Sequence, residues 1–522
     1  MVLGLLLWTV PDLWAQEAPL KGVVWSPLAE PSRSLADLEA MRDMGVEAIR
    51  TELVEDVRIL AWADELGLQV FQELPLRWLS ASGLQDTLSF AKRLLEEAVM
   101  RSEPYASARF FGLAQTSDTS SPEACTYFEE LMPLVSRLSG ARAFYSTTFA
   151  VDDRCADAVD FVLVRTLGMK DPEAALRLWP HSVPIGLESL GLEVRSRSYG
   201  LLQPYSAESQ ARYIEAHLPP LLESNALAVF VFRWRDDQTN AFGLITENGI
   251  HRSAYAVIEG IYSGTQQVFA FAQGNPPYTS FSWRVFLGWV VLFSLGILYH
   301  TSLRFRYTIR RYFLAHGYYV ESVRNGREVL VLSTNILWMI QMLCSCLLFS
   351  LLLQAVQEHV ALVYARTILF ERGGALGAML SHPAGLLGGL LALFCALFLI
   401  MWVLVSVTQR GLPTKLYMIT IWPFWGTIPL GLASLTTLTM PPDQASTAVL
   451  TLAGLWIVFV AVAVVRVFLD LYLLLSRQAF LSTLRFCGVL VVFVLVGLFL
   501  AMTWAPDFFD VLAFFWHLVT RS

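Results

Sequence analysis

The chain has 522 residues, 55% of them hydrophobic and only 16% charged, an apolar excess that excludes an ordinary soluble enzyme. A formal net charge of -7 leaves no basic footprint and argues against nucleic acid as a partner. The excess is uneven: up to about residue 265 charged and apolar residues mix as in a globular domain, and beyond it long apolar runs dominate.

Residues 1–16 (MVLGLLLWTVPDLWAQ) carry an apolar stretch that ends at Ala15, with small or polar residues after it. This has the form of a secretory signal, although no Lys or Arg precedes the apolar stretch. It is either a signal peptide that is removed or an uncleaved anchor, and both send the following domain across the membrane.

From Lys21 onward, β-rich runs alternate with helical patterns. Strands are expected at 22–25, 46–53, 68–76, 109–117, 141–149, 158–167, 183–190 and 226–236. Helices are expected over 35–45 and 56–67, stopped by Gly45 and Gly67, then over 84–104, 121–139, 206–224 with Ser206 as its cap, and 251–262. Eight near-continuous apolar strands, mostly separated by helices, predict an α/β (β/α)8 TIM barrel over 17–263. A Rossmann sheet fails because no Gly-rich turn follows the first strand and there are too many strands.

Of six cysteines, Cys344, Cys346, Cys395 and Cys487 lie in apolar helices, where a small hydrophobe is the ordinary reading. Cys125 and Cys155 fall in the exported part and could pair in an oxidising compartment, but spacing alone leaves their separation open. No CxxC or His/Cys cluster suggests a metal, and no cofactor is expected.

In such a barrel, chemistry collects at the carboxyl ends of the strands. Those ends carry Trp25, Arg50 with Glu52, Glu73, Gln115, Tyr145, Arg165, Glu188, and Trp234 with Asp236. Aromatic faces suit the apolar faces of sugars, and carboxylates and arginines suit their hydroxyls. Any one of these positions alone is an ordinary rim residue. Their recurrence at several strand ends favours a glycan or oligosaccharide ligand.

The stretch AIRTEL with ADELGLQVFQELPL resembles the second and third strands of glycoside hydrolase family 2 and related retaining β-glycosidases. VPIGLESLG resembles their seventh strand, whose Glu is the nucleophile, which puts Glu188 at that position. SAESQARYIEAHLPPLLESNALAVFVFRWRDD is similar to the following helix and eighth strand, with Trp234 at the sugar-stacking position. FGLITENGIHRSAYAVI is similar to the closing element. The resemblance implies a retaining mechanism, which needs two carboxyl groups about 5–5.5 Å apart, one attacking and one giving a proton. Here the chain departs from the family. In the family the acid/base is a Glu preceded by Asn at the end of strand four, and FFGLAQTSD offers either Ala114-Gln115 or Gln115-Thr116 instead. Gln cannot give a proton, and general acid–base help is worth about 10²–10⁴-fold. Asp118 or Glu73 would have to substitute. The sixth strand carries Arg165 where the family often has Tyr.

Residues 264–282 read as a linker. Six apolar runs then fill 283–504, at 283–300, 331–355, 384–408, 416–437, 446–474 and 483–504, each long enough to cross a bilayer core of about 30 Å. Pro423 and Pro429 predict a kink in the fourth. With the barrel outside, the cytoplasmic loops hold Arg304, Arg306, Arg310, Arg311, Arg324, Arg327, Arg410, Lys415, Arg477 and Arg485. The opposite side holds Arg366 and Arg372, with Arg521 in an extracytoplasmic tail over 505–522. This asymmetry predicts a multi-pass protein of the cytoplasmic (inner) membrane with its barrel outside. The basic, aromatic stretch 304–328 reads as a juxtamembrane helix at the headgroups or a contact for a cytoplasmic partner. Arg466 and Asp470, one turn apart, read as a structural pair. The five helices after the first resemble Yip1-type membrane domains only weakly. The expected function is glycan binding by a degenerate, membrane-tethered glycosidase barrel. The alternatives are an active retaining glycosidase or transglycosidase with Glu188 as nucleophile, and a transporter or scaffold, docking other membrane proteins, whose barrel only gates.

Overall fold

In the computed structural model the described residues are 18–275 apart from 196–198 and 238–240, 282–355 apart from 328 and 329, short stretches between 364 and 399, 413–475 apart from 441, and 508–521. The leader at 1–16, the apolar run 483–504 with Cys487, and most of the run at 384–408 lie outside them. The chain divides into two compact units, Met1–Tyr278 with Phe509–Ser522, and Thr279–Phe508.

The first unit is a closed barrel of eight parallel strands in sequential order. The strands are β1 (Leu20–Val24), β2 (Ala48–Glu52), β3 (Gln69–Glu73), β4 (Phe110–Gly112), β5 (Arg142–Thr147), β6 (Phe161–Arg165), β7 (Ile185–Leu190) and β8 (Ala228–Val231). Each falls inside, or within two residues of, a run expected from sequence. Around them lie α1 (Pro31–Met44), α2 (Val57–Leu66), α3 (Ala81–Ser102), α4 (Pro122–Val135), the short α5 (Glu173–Arg177), α6 (Ala207–Leu222) and α7 (Ser253–Tyr262). The caps explain the boundaries. Asp56 accepts from the Arg58 amide at 3.1 Å to start α2, and Ser206 accepts from the Ser209 amide at 3.1 Å to start α6. Gly45 and Gly67 end α1 and α2 at φ of +94° and +71°, a conformation in which other residues are strained.

Strand side chains alternate between two environments. Ala48, Phe71, Phe144, Phe161, Leu163, Ala228 and Phe230 fill the barrel interior. The intervening residues, among them Val23, Ile49, Val70, Val229 and Val231, pack against the helices. Bulky interior rings need small neighbours: a Cβ on Gly22 would stand 2.4 Å from the Phe230 ring.

The helix Phe508–Arg521 belongs to the barrel unit, so the stretch expected as a tail is a packed element. Phe514 and Leu518 are fully buried, His517 Nδ1 lies 2.8 Å from Asp118 Oδ2, and Arg521 donates to Ser120 Oγ at 3.2 Å.

In the second unit, four helical stretches among the described residues are long and apolar enough to cross a membrane: Trp283–Thr301, Val331–Ala355, Tyr417–Thr439 and Gln444–Val467. They match the first, second, fourth and fifth runs expected from sequence. The kink expected at Pro423 is a 3-10 segment, Trp422–Gly426, between Pro413–Ile421 and Thr427–Ser434. The stretch around 304–328 forms two helices, Leu303–Leu314 and His316–Arg324. Arg466 and Asp470 pair at 3.3 Å, and His316 Nε2 adds a third member at 2.7 Å from the Asp470 carboxylate.

Candidate functional site

The interior face of the barrel turns polar at its carboxyl end. In β2 and β3 the inward parity that buries Ala48 and Phe71 brings Arg50 and Glu73 to the level above, and in β7 it brings Glu188. Arg50 joins the two carboxylates. Its Nε lies 2.9 Å from Glu73 Oε1, its Nη2 lies 2.7 Å from Glu188 Oε1, and its Nη1 donates to the Glu188 carbonyl at 2.8 Å. All three side chains are buried. Gly112 in β4 makes room for them, since a Cβ there would stand 2.5 Å from Glu73 Cγ.

Burial opposes the charge on Arg50, but Glu73 and Glu188 outweigh it and hold the guanidinium firmly protonated. Burial pushes the Glu73 carboxyl up from its ordinary value; Arg50 opposes that rise and the neighbouring Glu188 adds to it. Glu188 keeps one oxygen, Oε2, buried and without a hydrogen-bond partner. A buried acceptor left unpaired costs about 1–3 kcal/mol, so such an atom calls for an incoming donor.

Gln115 stands beyond β4 with both ends of its amide engaged. Arg77 Nε donates to Oε1 at 2.6 Å, and Nε2 donates to the Leu74 carbonyl at 3.0 Å. Arg77 also pairs with Glu52 on the exposed rim. A bridge between Arg77 and Gln115 extends the β3–β4 pairing, and it is flanked by two non-glycine residues with left-handed backbone, Trp78 at φ +55° and Thr116 at φ +51°. Such conformations persist only where the surroundings impose them. Arg165, at the end of β6, faces the mouth above Phe161 and Leu163 and lies over the Trp78 ring at 5.5 Å. Burial draws its pKa down, with Glu188 opposing.

The structure thus brings together Arg50, Glu73, Arg165 and Glu188, with Gln115 and Glu52 at their edge. Four other residues expected at the mouth are placed elsewhere. Trp25 packs among the helix-facing residues and donates to Asp37 at 3.3 Å. Trp234 lies in the same layer, its ring 5.6 Å from that of Tyr255. Tyr145 stacks on Phe128 of α4 and donates to Asp153 at 2.6 Å, and burial with that carboxylate raises its hydroxyl pKa well above the usual value. For Trp25 and Tyr145 this follows from parity, since each is one residue away from an inward position; Trp234 shares the parity of Ala228 and Phe230 but lies three residues beyond the end of β8 at Val231, where the strand alternation no longer holds. Asp236 pairs with Arg252 and accepts from the Gly243 amide at 2.7 Å, which anchors the loop after β8. Asp118, a possible substitute acid, is taken up by Ser120 and His517. Sequence reading missed Arg77 and Trp78, which follow Pro75 where the strand pattern has ended, and His517, nearly 400 residues from its partner along the chain.

The barrel can be set beside known proteins on this geometry. No family model matches the chain, and no curated protein sequence matches it. Among solved structures it is similar to a glycoside hydrolase family 2 β-galacturonidase from Eisenbergiella tayi bound to galacturonate, at 17% identity and a TM-score of 0.44, over 49% of this chain and 53% of that one. It is also similar to the β-D-glucuronidase of Dictyoglomus thermophilum, at 18% identity and a TM-score of 0.43, over 49% of this chain and 52% of that one. The β-glucuronidase of an uncultured Clostridium gives 16% and 0.43, over 47% and 51%. The chain thus spans about half the length of the structures it matches, and at such low identity the likeness is one of barrel fold.

Proposed function

We propose that the chain is a membrane-anchored barrel that binds a glycan at its mouth, outside the cytoplasm, with hydrolysis impaired. One observation carries this reading: Glu188 offers a buried carboxylate oxygen with no hydrogen-bond partner, while Gln115, at the place of the expected proton donor, is an amide bonded at both ends. A sugar hydroxyl would satisfy that oxygen, whereas the amide has no proton to give to a leaving group. Three features support the location. Four apolar helices are long enough to cross a bilayer. The arginine asymmetry of the loops puts the barrel outside. A disulfide joins Cys125 and Cys155, with Cα atoms 4.8 Å apart, as expected in an oxidising compartment.

A second reading, a working hydrolase, is favoured by Glu73. It shares Arg50 with Glu188, and burial holds its carboxyl toward the protonated form that a general acid requires. Aryl β-glycosides with activated leaving groups and their 2-deoxy-2-fluoro analogues separate the two, because they need little acid assistance. The binding reading expects glycan binding that Glu188→Gln weakens, with no covalent adduct by intact-mass measurement. A glycosyl adduct on Glu188, with turnover of unactivated substrate abolished by Glu73→Gln, would establish the hydrolase instead.

A further inference from the structure

We propose that the glycan carries an anionic substituent and that Arg165, lying over Trp78, receives it. This rests on the glycan-binding reading and narrows its ligand class. The mouth holds several guanidiniums, and all but one have carboxylates of their own. Arg50 holds Glu73 and Glu188, Arg77 holds Glu52, and Arg233 holds Asp237. Among the described residues the Arg165 side chain makes no ion pair or hydrogen bond; its guanidinium lies 5.5 Å from the Trp78 ring.

An arginine can be unpaired on a surface at no cost, because water solvates it. Arg165 is part-exposed, but inside the barrel mouth: it continues the inward face of β6 above Phe161 and Leu163, and its partial loss of solvation draws its pKa down. A guanidinium held there without a counter-ion is open to an anionic ligand.

The missing partner is an anion that meets a planar guanidinium: a sugar carboxylate, a sulfate ester or a phosphate. The Trp78 ring, 5.5 Å from the guanidinium, is near enough to steady it by cation–π attraction. Trp78 itself has a left-handed backbone and directly follows the Arg77–Gln115 bridge. The same ligand would present a hydroxyl to Glu188 Oε2, which lies within the electrostatic reach of Arg165.

The test uses the full-length protein in detergent. Binding is measured for uronate tetrasaccharides (mannuronate, galacturonate and glucuronate types), each against its carboxyl-reduced counterpart, with sulfated and phosphorylated oligosaccharides as further arms. One of the acidic forms is expected to bind at least about 30-fold tighter than its neutral counterpart. That preference falls as salt is raised, and Arg165→Gln removes the difference in affinity between the acidic form and its neutral counterpart. Arg165→Lys, which keeps the charge and the fold, retains part of the preference because it loses planar two-point pairing. The arm that responds identifies the anion. Acidic and neutral forms binding equally well, with Arg165→Gln changing neither, would overturn the proposal and leave glycan binding standing. If no oligosaccharide binds at all, the glycan-binding reading falls and this inference with it.

Discussion

Glu73 is the residue whose ionisation most affects the barrel mouth. Its carboxyl is raised by burial, so the folded chain keeps a proton that the unfolded chain has already released near pH 4.5. The stabilisation from that proton is whole below the ordinary carboxylate range and is lost as pH rises through the raised value. Glu73→Gln, a permanent mimic of the neutral form, is therefore expected to gain on the wild type as pH goes from 4 to 8. Melting temperatures of both proteins across that range check this. A wild-type advantage that grows with pH would mean that the ion pair with Arg50 outweighs burial. The triad itself was only half legible. Arg50, Glu73 and Glu188 were each readable as strand ends, but Glu188 is 138 residues from Arg50, and no local pattern shows that one guanidinium holds both acids.

At the scale of elements, the barrel is held by its interior rings and by a covalent tie across its outer layer. Phe71 stacks on Phe110 at 4.1 Å and meets Phe144, Phe161 and Phe230 edge-on or tilted at 5.0–6.0 Å. Phe71→Ala removes the ring they share and is expected to cost about 3–5 kcal/mol, read by denaturant unfolding. The disulfide ties α4 to the segment after β5 across 30 residues of chain. By the loop-entropy relation, Cys125→Ser with Cys155→Ser should cost about 3–4 kcal/mol, seen as a lowered melting temperature that matches the reduced wild type. Element types and order were legible because period-2 and helical patterns, Gly stops and polar caps are local properties. The face each strand-end ring occupies was not. Trp25, Tyr145 and Trp234 were read by position along the strand, while the closed sheet assigns the first two by parity to the helical layer, and Trp234 joins that layer beyond the end of β8.

At the scale of the molecule, one contact restricts the topology. His517 and Arg521 pack on Asp118 and Ser120, so the C-terminal helix and the barrel are one unit and share one side of any membrane the chain crosses. The number of crossings between them must then be even. The four helices described and the six runs expected from sequence both satisfy this; five would not. Cysteines introduced at Arg33, Thr520 and Arg310, all exposed, test it. The first two should react with a membrane-impermeant maleimide from the same side and the third from the other. Labelling of Thr520→Cys together with Arg310→Cys would refute the even count. His517→Ala should speed amide exchange over 508–521 several-fold while leaving the barrel strands protected.

From the sequence by itself came the eight strands in order, most of the helices between them, four apolar helices and the kink at Pro423. All of these are properties of neighbouring residues, written in hydrophobic period and turn chemistry. Tertiary structure alone decided which side chains meet. Closing the barrel brought Arg50, Glu73, Arg165 and Glu188 to one mouth, turned three aromatic rings away from it, and drew a helix from the far end of the chain onto Asp118. Contacts between residues far apart in sequence follow from how the strands close and in what register, and neither is encoded in any short stretch of the chain.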